Sequence, residues 1–431
     1  MLLKETKKKK MKKFLLTINI LVCCICLSFC QHNTVSNYKT PTGFISPAVK
    51  PLEYTTVAKE NIDLQDSDIV RKIHALDCYF EEKVKLRGFN GSVLVSYKGT
   101  PVFERYYGYK NYYTQERLTP RSTFQIASTS KTFTSGAILM LLQQNMLSLE
   151  DSVQKFFPNF PYKGITVRML LNHRSGLPDY TKFYEDYWKN KNKFMINEDV
   201  LQMMIRFRPK EYNKPDTHFR YNNSNFVLLA LIAEKVSGVP FCDFIHQNIF
   251  IPLGMLDSWI FDPLSVRPSA TKGYKGSRWK EDEMVPTDGV TGDKNIYSTV
   301  RDLYKWDQAL LAGKLIRSEF LGLAYTPQSF EKAGNKNYGL GWRIHDQPDG
   351  TRLIYHNGWW HSFTTAFNRK ISDKSTVIVL CNHFSNYNYH SQQIWDILYG
   401  TGVVATPDEE SSSETTKKLN TDSLMEIEQA R

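Results

Sequence analysis

The chain has 431 residues, of which 41% are hydrophobic and 23% charged, so it can bury a large core in one big domain or two. Its formal net charge is +11, but residues 1–30 hold seven lysines against one glutamate and carry +6 of that charge. The remaining +5 forms no basic patch interleaved with aromatic residues, so we expect no nucleic-acid partner.

The first 30 residues have the pattern of an export signal. A lysine-rich start is followed by an uncharged apolar stretch of 16 residues, Phe14 to Phe29, which is short for a membrane span and suits a signal peptide. Met11 is an equally good start. The sequence Leu27-Ser28-Phe29-Cys30 resembles a bacterial lipobox, whose cysteine is lipidated, although Phe29 stands where a small residue is usual. We therefore predict residues 1–30 to be a lipoprotein signal, with Cys30 anchoring the protein to a membrane of the cell envelope. Soluble export and an uncleaved anchor are the alternatives.

The next residues lead from this signal into a folded body. Residues 31–66 are polar, contain three prolines and lack periodicity, which predicts a tether. Apolar residues at 3–4 spacing predict a helix from about Ser67 to Leu86, and two β-rich runs predict a hairpin over 91–111 that turns at Lys98-Gly99-Thr100. We predict a single folded domain over residues 67–400 and a disordered tail rich in Ser, Thr and Glu over 401–431.

The order of patterns along the body predicts its fold class. From Leu149 to about Asp302 the patterns are mostly helical or loop-like, with helices expected at Val200–Phe207 and Phe226–Val236. Strand patterns return from Tyr338 onward, over YGLGWRI, TRLIYHN, SFTTAFNR and STVIVLCN, and a last helix is expected near Tyr389–Tyr399. Strands near both ends that enclose a helical middle predict an α/β fold, in which a sheet flanked by helices carries a mostly helical inserted domain.

Cysteines and histidines give no sign of a metal site. Beyond the signal the chain keeps Cys78, Cys242 and Cys381, each in an apolar or helical context that is typical of a buried thiol. None of them forms a C-x-x-C pair, and the ten histidines show no metal-ligand spacing. We expect neither a metal nor a cofactor.

Ser128 and Lys131 stand three residues apart at the start of a uniformly apolar run, FQIASTSKTFTSGAILMLLQQN. If this run is helical, the lysine amine lies beside the serine hydroxyl. A serine needs a neighbouring base to become a nucleophile, and burial among apolar residues makes a lysine suitable because it disfavours the ammonium. The alternative is that Ser128 only caps the helix. The tetrad Ser-x-x-Lys is not specific by itself, since it also begins at Ser36, Ser152, Ser269, Ser277 and Ser329.

Two further stretches offer partners for this pair. Tyr221 and Asn223 stand at a loop that runs into an apolar helix, where the phenol could relay a proton and the amide could hold Lys131 and a substrate carbonyl. His356 and Gly358 stand at the end of a predicted strand. The glycine would let a substrate backbone approach, and the N–H that follows it, on Trp359, could form an oxyanion hole with the Ser128 N–H.

His356 could donate to a substrate carboxylate or tune the pair of Tyr221 and Lys131. The structural alternatives are a core tyrosine, a helix-capping asparagine and a half-exposed strand histidine.

Taken together, Ser-x-x-Lys, Tyr-x-Asn and His-x-Gly occur in the order found in the serine β-lactamase and penicillin-binding protein superfamily. The sequence resembles most the class C β-lactamase-like serine hydrolases, which include D-alanyl-D-alanine carboxypeptidases and esterases. The stretches TVRMLLNHRSGLPDY, IPLGMLDS, IYSTVRDLYKWDQALLAGKL and YGLGWRI extend the resemblance over residues 70–400. It implies an antiparallel sheet, Ser128 as the acylated nucleophile, Lys131 and Tyr221 as the acid/base pair, and Asn223, His356, Gly358 and Trp359 around the substrate.

Two departures bear on the substrate. Asn222 replaces the usual serine in the second motif, which is a mild change. Trp359-Trp360-His361 replaces the usual small residues after the third motif, and two indoles there could narrow the cleft or provide a flat apolar wall. We therefore expect a peptide or ester substrate rather than a bulky β-lactam.

The function predicted from the sequence is that of an exported serine hydrolase that forms an acyl-enzyme on Ser128. Our first hypothesis is a D-alanyl peptidase that acts on peptidoglycan peptides, and the alternative among serine hydrolases of the same fold is an esterase or β-lactamase. A binding or sensor module that keeps the fold without turnover is the alternative of another class. The intact Ser128, Lys131 and Tyr221 favour an enzyme.

Overall fold

The computed structural model describes residues 62–263, 270–384 and 391–400. The predicted signal with Cys30, nearly all of the tether and the tail lie outside the described residues, so those domain boundaries stay predictions. None of the helices in the described ranges has the length and apolar character that a membrane crossing requires.

One large antiparallel sheet is built from both ends of the domain. Its strands are β1 (Gly91–Tyr97), β2 (Thr100–Tyr107), β10 (Lys336–Tyr338), β11 (Arg343–Asp346), β12 (Arg352–Tyr355), β13 (Gly358–Trp360), β14 (Phe363–Lys370) and β15 (Ser375–Cys381). They run in the order β10-β11-β12-β14-β15-β1-β2, with β13 paired to β14. The early strand β1 pairs with the late strand β15, with Leu94 opposite Ile378. The predicted antiparallel sheet from N- and C-terminal parts is confirmed.

The two faces of this sheet bury different layers. Successive side chains of a strand point to opposite faces. In β1, Val93 and Val95 pack towards helices α1 (Ser67–Arg87) and α11 (Gln392–Tyr399), whereas Leu94 belongs to the larger core on the other side. Both sheet faces are therefore covered, which explains why β14 and β15 are buried along their whole length.

Helix α1 agrees with its prediction to within one residue. Asp66 caps its first turn, and Gly88 ends it with a φ of 63°, a left-handed conformation that glycine adopts without strain. Its buried residues Leu76 and Phe80 lie four apart on one face. Cys78 lies on the opposite face and is exposed, so the expectation of a buried thiol was wrong there. Cys381 is buried as expected and Cys242 is partly buried.

The middle of the domain is helical with short strands, as predicted. Its helices are α3 (Val153–Phe156), α4 (Val167–Leu171), α5 (Tyr180–Tyr187), α6 (Asn197–Phe207), α7 (Asn223–Ser237) and α8 (Phe241–Ile245), followed by a π-helical turn over His246–Phe250. Two more helices, α9 (Val300–Leu311) and α10 (Ser318–Ala324), precede β10. The remaining strands are β3 (Tyr109–Asn111), β4 (Glu116–Arg117), β5 (Phe124–Gln125), β6 (Trp259–Ile260), β7 (Tyr274–Lys275), β8 (Lys280–Glu281) and β9 (Ile296–Ser298).

Helix α2 (Lys131–Gln143) lies at the centre of the larger core. Every residue from Lys131 to Leu141 is buried, which agrees with the uniformly apolar pattern. Phe133 stacks on Trp306 of α9 with ring centroids 4.8 Å apart. Gly136 lets the two helices approach, since a Cβ at this position would lie 3.0 Å from the Trp306 ring. The helix is therefore a fixed support for the residues at its N-terminus.

Candidate active site

Ser128 lies in a tight turn just before α2. Ala127–Ser130 form a 3₁₀ turn, and the helix proper begins at Lys131. Residues three apart are nearly eclipsed in a 3₁₀ turn, so Ser128 and Lys131 lie over one another more directly than in the α-helix we expected. Within residues 122–141, Ser128 alone is not fully buried. The φ of Ala127 is +47°, an uncommon conformation for a residue with a Cβ and one that is found at functional turns.

The Lys131 amine is buried and surrounded by oxygen atoms. Its Nζ lies 3.1 Å from Ser128 Oγ, 2.9 Å from Asn223 Oδ1 and 2.9 Å from the carbonyl oxygen of Asp293. Burial lowers the pKa of Lys131 to about 8, while the carboxylates of Asp293 and Asp179 oppose that shift. About half of this amine is therefore neutral near pH 8, and the neutral form can accept a proton.

Asn223 is the first residue of α7, and its side chain is held from both ends. Its Oδ1 accepts from Lys131, and its Nδ2 donates to Asp179 Oδ2 at 3.2 Å. The preceding residue, Asn222, caps α7 by accepting from the N–H of Ser224. The capping role that the sequence offered as an alternative for Asn223 thus belongs to its neighbour, and the Asn223 amide faces the lysine.

Tyr221 lies beside the lysine with its ring half-buried. Lys131 Nζ is 5.0 Å from the ring centroid, and the Arg343 guanidinium is 5.1 Å from the same centroid. The ring also packs on the buried imidazole of His173, at 4.4 Å between centroids. Cations over an aromatic face are attracted by its quadrupole, so the phenol is fixed between the nucleophile region and the sheet.

His356 lies behind the site rather than in it. It is fully buried, its Nδ1 lies 2.8 Å from the carbonyl oxygen of Asn357, and its Nε2 lies 3.1 Å from the Tyr338 hydroxyl. Because a carbonyl only accepts, Nδ1 carries the proton and Nε2 accepts from the tyrosine. Burial holds the pKa of His356 well below its usual value, so the ring is neutral. Donation to a substrate carboxylate, one of two roles predicted for it, does not agree with this geometry.

Gly358 brings strand β13 against the nucleophile turn. A Cβ at this position would lie 2.2 Å from the Ile126 carbonyl oxygen and 3.1 Å from the Ser128 nitrogen, so only glycine permits the approach. The Thr129 hydroxyl reinforces the contact by donating to the His356 carbonyl at 2.9 Å. The N–H groups of Ser128 and Trp359 are thus carried by two segments in direct contact.

The two indoles that follow Gly358 are partly exposed and differ in their packing. Trp359 packs on Phe384 and donates its indole N–H to the His361 carbonyl at 2.9 Å. Trp360 donates its indole N–H to the buried carboxylate of Asp288, and the buried Lys294 ammonium lies 4.7 Å from its ring. These contacts hold the Trp360 ring in place, and both interpretations, a narrowed cleft and a flat apolar wall, stay predictions.

Several residues at the site had no role assigned from the sequence. They are Asp179 and His173 in the stretch TVRMLLNHRSGLPDY, Arg343 in YGLGWRI, and Asp288, Asp293 and Lys294 in the loop before β9. The first two stretches extend the family resemblance, but the spacing of their residues does not place these side chains beside Lys131. Among the described residues, no group of three His, Cys, Asp or Glu side chains converges as a metal site would require.

The residues of this site all lie within a stretch that matches a known protein family. The family model described as Beta-lactamase matches residues 76–399. The chain belongs to the β-lactamase family. Its membership confirms the enzyme class predicted from the sequence, a β-lactamase-related serine hydrolase.

Relatives of this β-lactamase-family chain cover most of its length. It is 32% identical to Penicillin-binding protein 4* of Bacillus subtilis (strain 168) over 329 residues, which is 73% of this chain and 72% of the relative. It is 29% identical to the Teichoic acid D-alanine hydrolase of Staphylococcus aureus (strain MRSA252) over 337 residues, 76% of this chain and 78% of the relative. The crystal structure of a penicillin-binding protein from Bacillus halodurans, 24% identical, has a TM-score of 0.64 and matches 74% of this chain and 97% of its own, which shows a shared fold.

Proposed function

We propose that the protein acylates itself on Ser128 during hydrolysis. The observation that best supports this is the position of Ser128, the one residue of 122–141 that is not fully buried. Its hydroxyl lies 3.1 Å from the buried amine of Lys131. In this proposal Lys131 takes the hydroxyl proton while Ser128 Oγ bonds to the substrate carbonyl carbon. Tyr221 donates its phenolic proton to the leaving group and regains a proton from the Lys131 ammonium, and Asn223 orients the lysine and the substrate.

The oxyanion of this reaction would be held by backbone donors. We assign it to the N–H groups of Ser128 and Trp359, because the segments that carry them lie so close that a Cβ at Gly358 would be 3.1 Å from the Ser128 nitrogen. Fixed donors aimed at developing charge are usually the largest electrostatic contribution in acyl transfer. His356 supports this strand end from behind and does not contact the substrate.

We further propose a D-alanyl substrate of the cell envelope, first of all peptidoglycan peptides. Supporting this are the two relatives, one a penicillin-binding protein and the other a hydrolase of teichoic acid D-alanine. The name of the second relative also favours a second candidate, the hydrolysis of D-alanine esters. Export as a lipoprotein anchored through Cys30 is part of the proposal and is supported by the signal-like residues 1–30.

The test is covalent labelling of the full chain, read by intact mass. We expect a fluorophosphonate to add once to the wild type and not to Ser128→Ala. The matched control is Ser152→Ala, which alters another Ser-x-x-Lys tetrad at the start of α3 and should label like the wild type. A persistent adduct with labelled penicillin, with release of D-alanine from a peptide ending in D-alanyl-D-alanine, would support the peptidase.

Other outcomes decide between the candidates. Rapid loss of the penicillin adduct with turnover would indicate a β-lactamase. Labelling by the fluorophosphonate without any penicillin reaction, together with release of D-alanine from an ester, would favour the second candidate. Absence of any adduct on folded wild type would contradict the enzyme proposal and leave a binding module.

A further inference from the structure

Residues 173–180, a loop together with the first residue of α5, hold the segment 222–225 in place. The backbone N–H of Asn222 donates to Nδ1 of the buried His173 at 3.1 Å. Further hydrogen bonds between the two segments run from Ser175 to Asn225, from Ser224 to Pro178 and from Tyr180 to Ser224. The stretch TVRMLLNHRSGLPDY, which includes this loop, therefore fixes the conformation of the segment that carries Asn223.

Within this loop, Asp179 bonds to Asn223, whose amide oxygen accepts from Lys131. Asp179 is only 8% exposed. Its Oδ2 accepts from the Asn223 N–H at 3.1 Å and from Asn223 Nδ2 at 3.2 Å. Its Oδ1 accepts from the N–H and the hydroxyl of Thr181, at 3.0 Å and 2.8 Å, and so caps helix α5. All four of these contacts are donations to the carboxylate.

The charge on Asp179 decides which way the Asn223 amide points. A carboxylate only accepts, so Asn223 must turn its NH₂ group towards Asp179 and its Oδ1 towards Lys131. The reversed amide would place two donors, the NH₂ group and the ammonium, against each other, and two acceptor oxygens against each other. The 2.9 Å contact between Lys131 Nζ and Asn223 Oδ1 thus depends on a residue that does not touch the lysine.

The same carboxylate also acts on Lys131 through space. Asp179 is one of two carboxylates that raise the pKa of the Lys131 amine against the larger effect of burial. Removing its charge should therefore lower the lysine pKa further, while removing its hydrogen bonds should loosen the amide. The two consequences can be measured separately. The lower lysine pKa shifts the midpoint of the pH profile, and the loosened Asn223 amide lowers the limiting rate of acylation at high pH.

We propose that Asp179 is a positioning residue for the acylation of Ser128, acting by fixing the Asn223 amide that holds the Lys131 amine beside the serine hydroxyl. This rests on the function proposed above, in which Lys131 accepts the serine proton. The structure makes Asp179 the link between the loop 173–180 and the acid/base chemistry.

The test compares phosphonylation rates of the full chain across pH. In Asp179→Asn the new amide can donate as well as accept, so we expect the limiting rate to fall by about tenfold or more, since small misplacements of catalytic groups can cost up to about 100-fold. The midpoint of the pH profile should also move to lower pH. The matched control is Thr181→Ala, which removes a hydrogen bond to the same carboxylate without touching Asn223 and should stay within about twofold of the wild type.

A double-mutant comparison separates positioning from a structural role. In an Asn223→Ala background, Asp179→Asn should change the limiting rate by less than about twofold, because the path through the amide is already lost. Should Asp179→Asn not fold, Asp179→Ser keeps a capping oxygen for α5, lacks the charge and is too short for the amide; it should give the same two changes.

The outcomes distinguish this inference from the proposed function. Wild-type rate and pH midpoint in Asp179→Asn, with Ser128→Ala inert, would overturn the role of Asp179 and leave the nucleophile intact. An equal loss of rate in both Asn223 backgrounds would reduce Asp179 to a structural residue. If the wild type itself is not labelled, both the proposed function and this inference fail.

Discussion

A buried lysine amine with three oxygen neighbours is the feature on which the chemistry of this site depends. Water would stabilise the ammonium, but Lys131 is excluded from water, and the carboxylates of Asp179 and Asp293 replace only part of that stabilisation. The result is a pKa of about 8. The neighbouring imidazoles have pKa values held well below the usual value by burial, so of Lys131, His173 and His356 the lysine is the one whose protonation changes near physiological pH.

This pKa predicts how acylation depends on pH. Below it the amine is protonated and has no lone pair for the Ser128 proton, so the rate of phosphonylation should rise with pH and reach half its maximum near pH 8. Lys131→Arg keeps a cation that cannot act as a base, and we expect a loss of about 100-fold or more. The measurement is the labelling rate from about pH 6 to about pH 10, with Lys155→Arg as the control. A flat profile would contradict a role for Lys131 as the base.

The proximity of two side chains could be predicted where the residues are close in sequence. Ser128 and Lys131 are three apart, so their proximity follows from almost any helical turn. The partners Asp179 and Asp293 lie 48 and 162 positions from Lys131 along the chain, and no spacing rule connects them. His356 is fully buried and its Nε2 accepts from Tyr338 of another strand, an environment that the spacing within its motif could not predict.

At the scale of elements, periodicity predicted the long segments and missed the short ones. Helices α1 and α7 and the hairpin of β1 and β2 were expected because each buries a regular face. Strand β13 was not expected, since it has three residues and forms only because Gly358 allows it to lie between β14 and the nucleophile turn. The sequence pattern also predicts an α-helix at Ser128 where the structure has a 3₁₀ turn, because a turn of four residues is too short to show a periodicity of its own.

Strand β13 also predicts a limit on the substrates that enter. Trp360 is fixed by Asp288 and lies over Lys294, so its ring cannot easily move aside for a bulky acyl group. In Trp360→Gly we expect a penicillin with a large side chain to acylate Ser128 about tenfold faster, within the range that one pocket contact provides. The fluorophosphonate rate serves as an internal control and should stay within about twofold, since a small reagent does not need the space. Equal rates with penicillin in both proteins would show that Trp360 does not restrict the cleft.

At the scale of the whole molecule, a buried ion pair connects the large sheet to the helices packed on it. Arg369 of β14 is 1% exposed, and its Nε lies 2.6 Å from Asp307 Oδ1 of α9. The Asp307 Oδ2 also accepts from the Thr376 hydroxyl of β15 at 2.8 Å. The overall α/β arrangement could be predicted from the order of patterns, but this pairing could not, because both residues lie inside stretches that otherwise look like ordinary strand and helix.

This pair predicts a stability effect that is separate from the chemistry. Asp307→Ala leaves the Arg369 guanidinium buried without its carboxylate, and breaking a buried pair in this way costs about 3–5 kcal/mol of unfolding free energy. The matched control is Asp346→Ala, which breaks the more exposed pair with Arg352 and should cost no more than about 1 kcal/mol. Urea unfolding followed by tryptophan fluorescence measures both. Below its unfolding transition, Asp307→Ala should still be labelled at Ser128 at the wild-type rate, because the pair lies on β14 and α9 and has no contact with Lys131; a slower rate there would mean that the pair also shapes the active site.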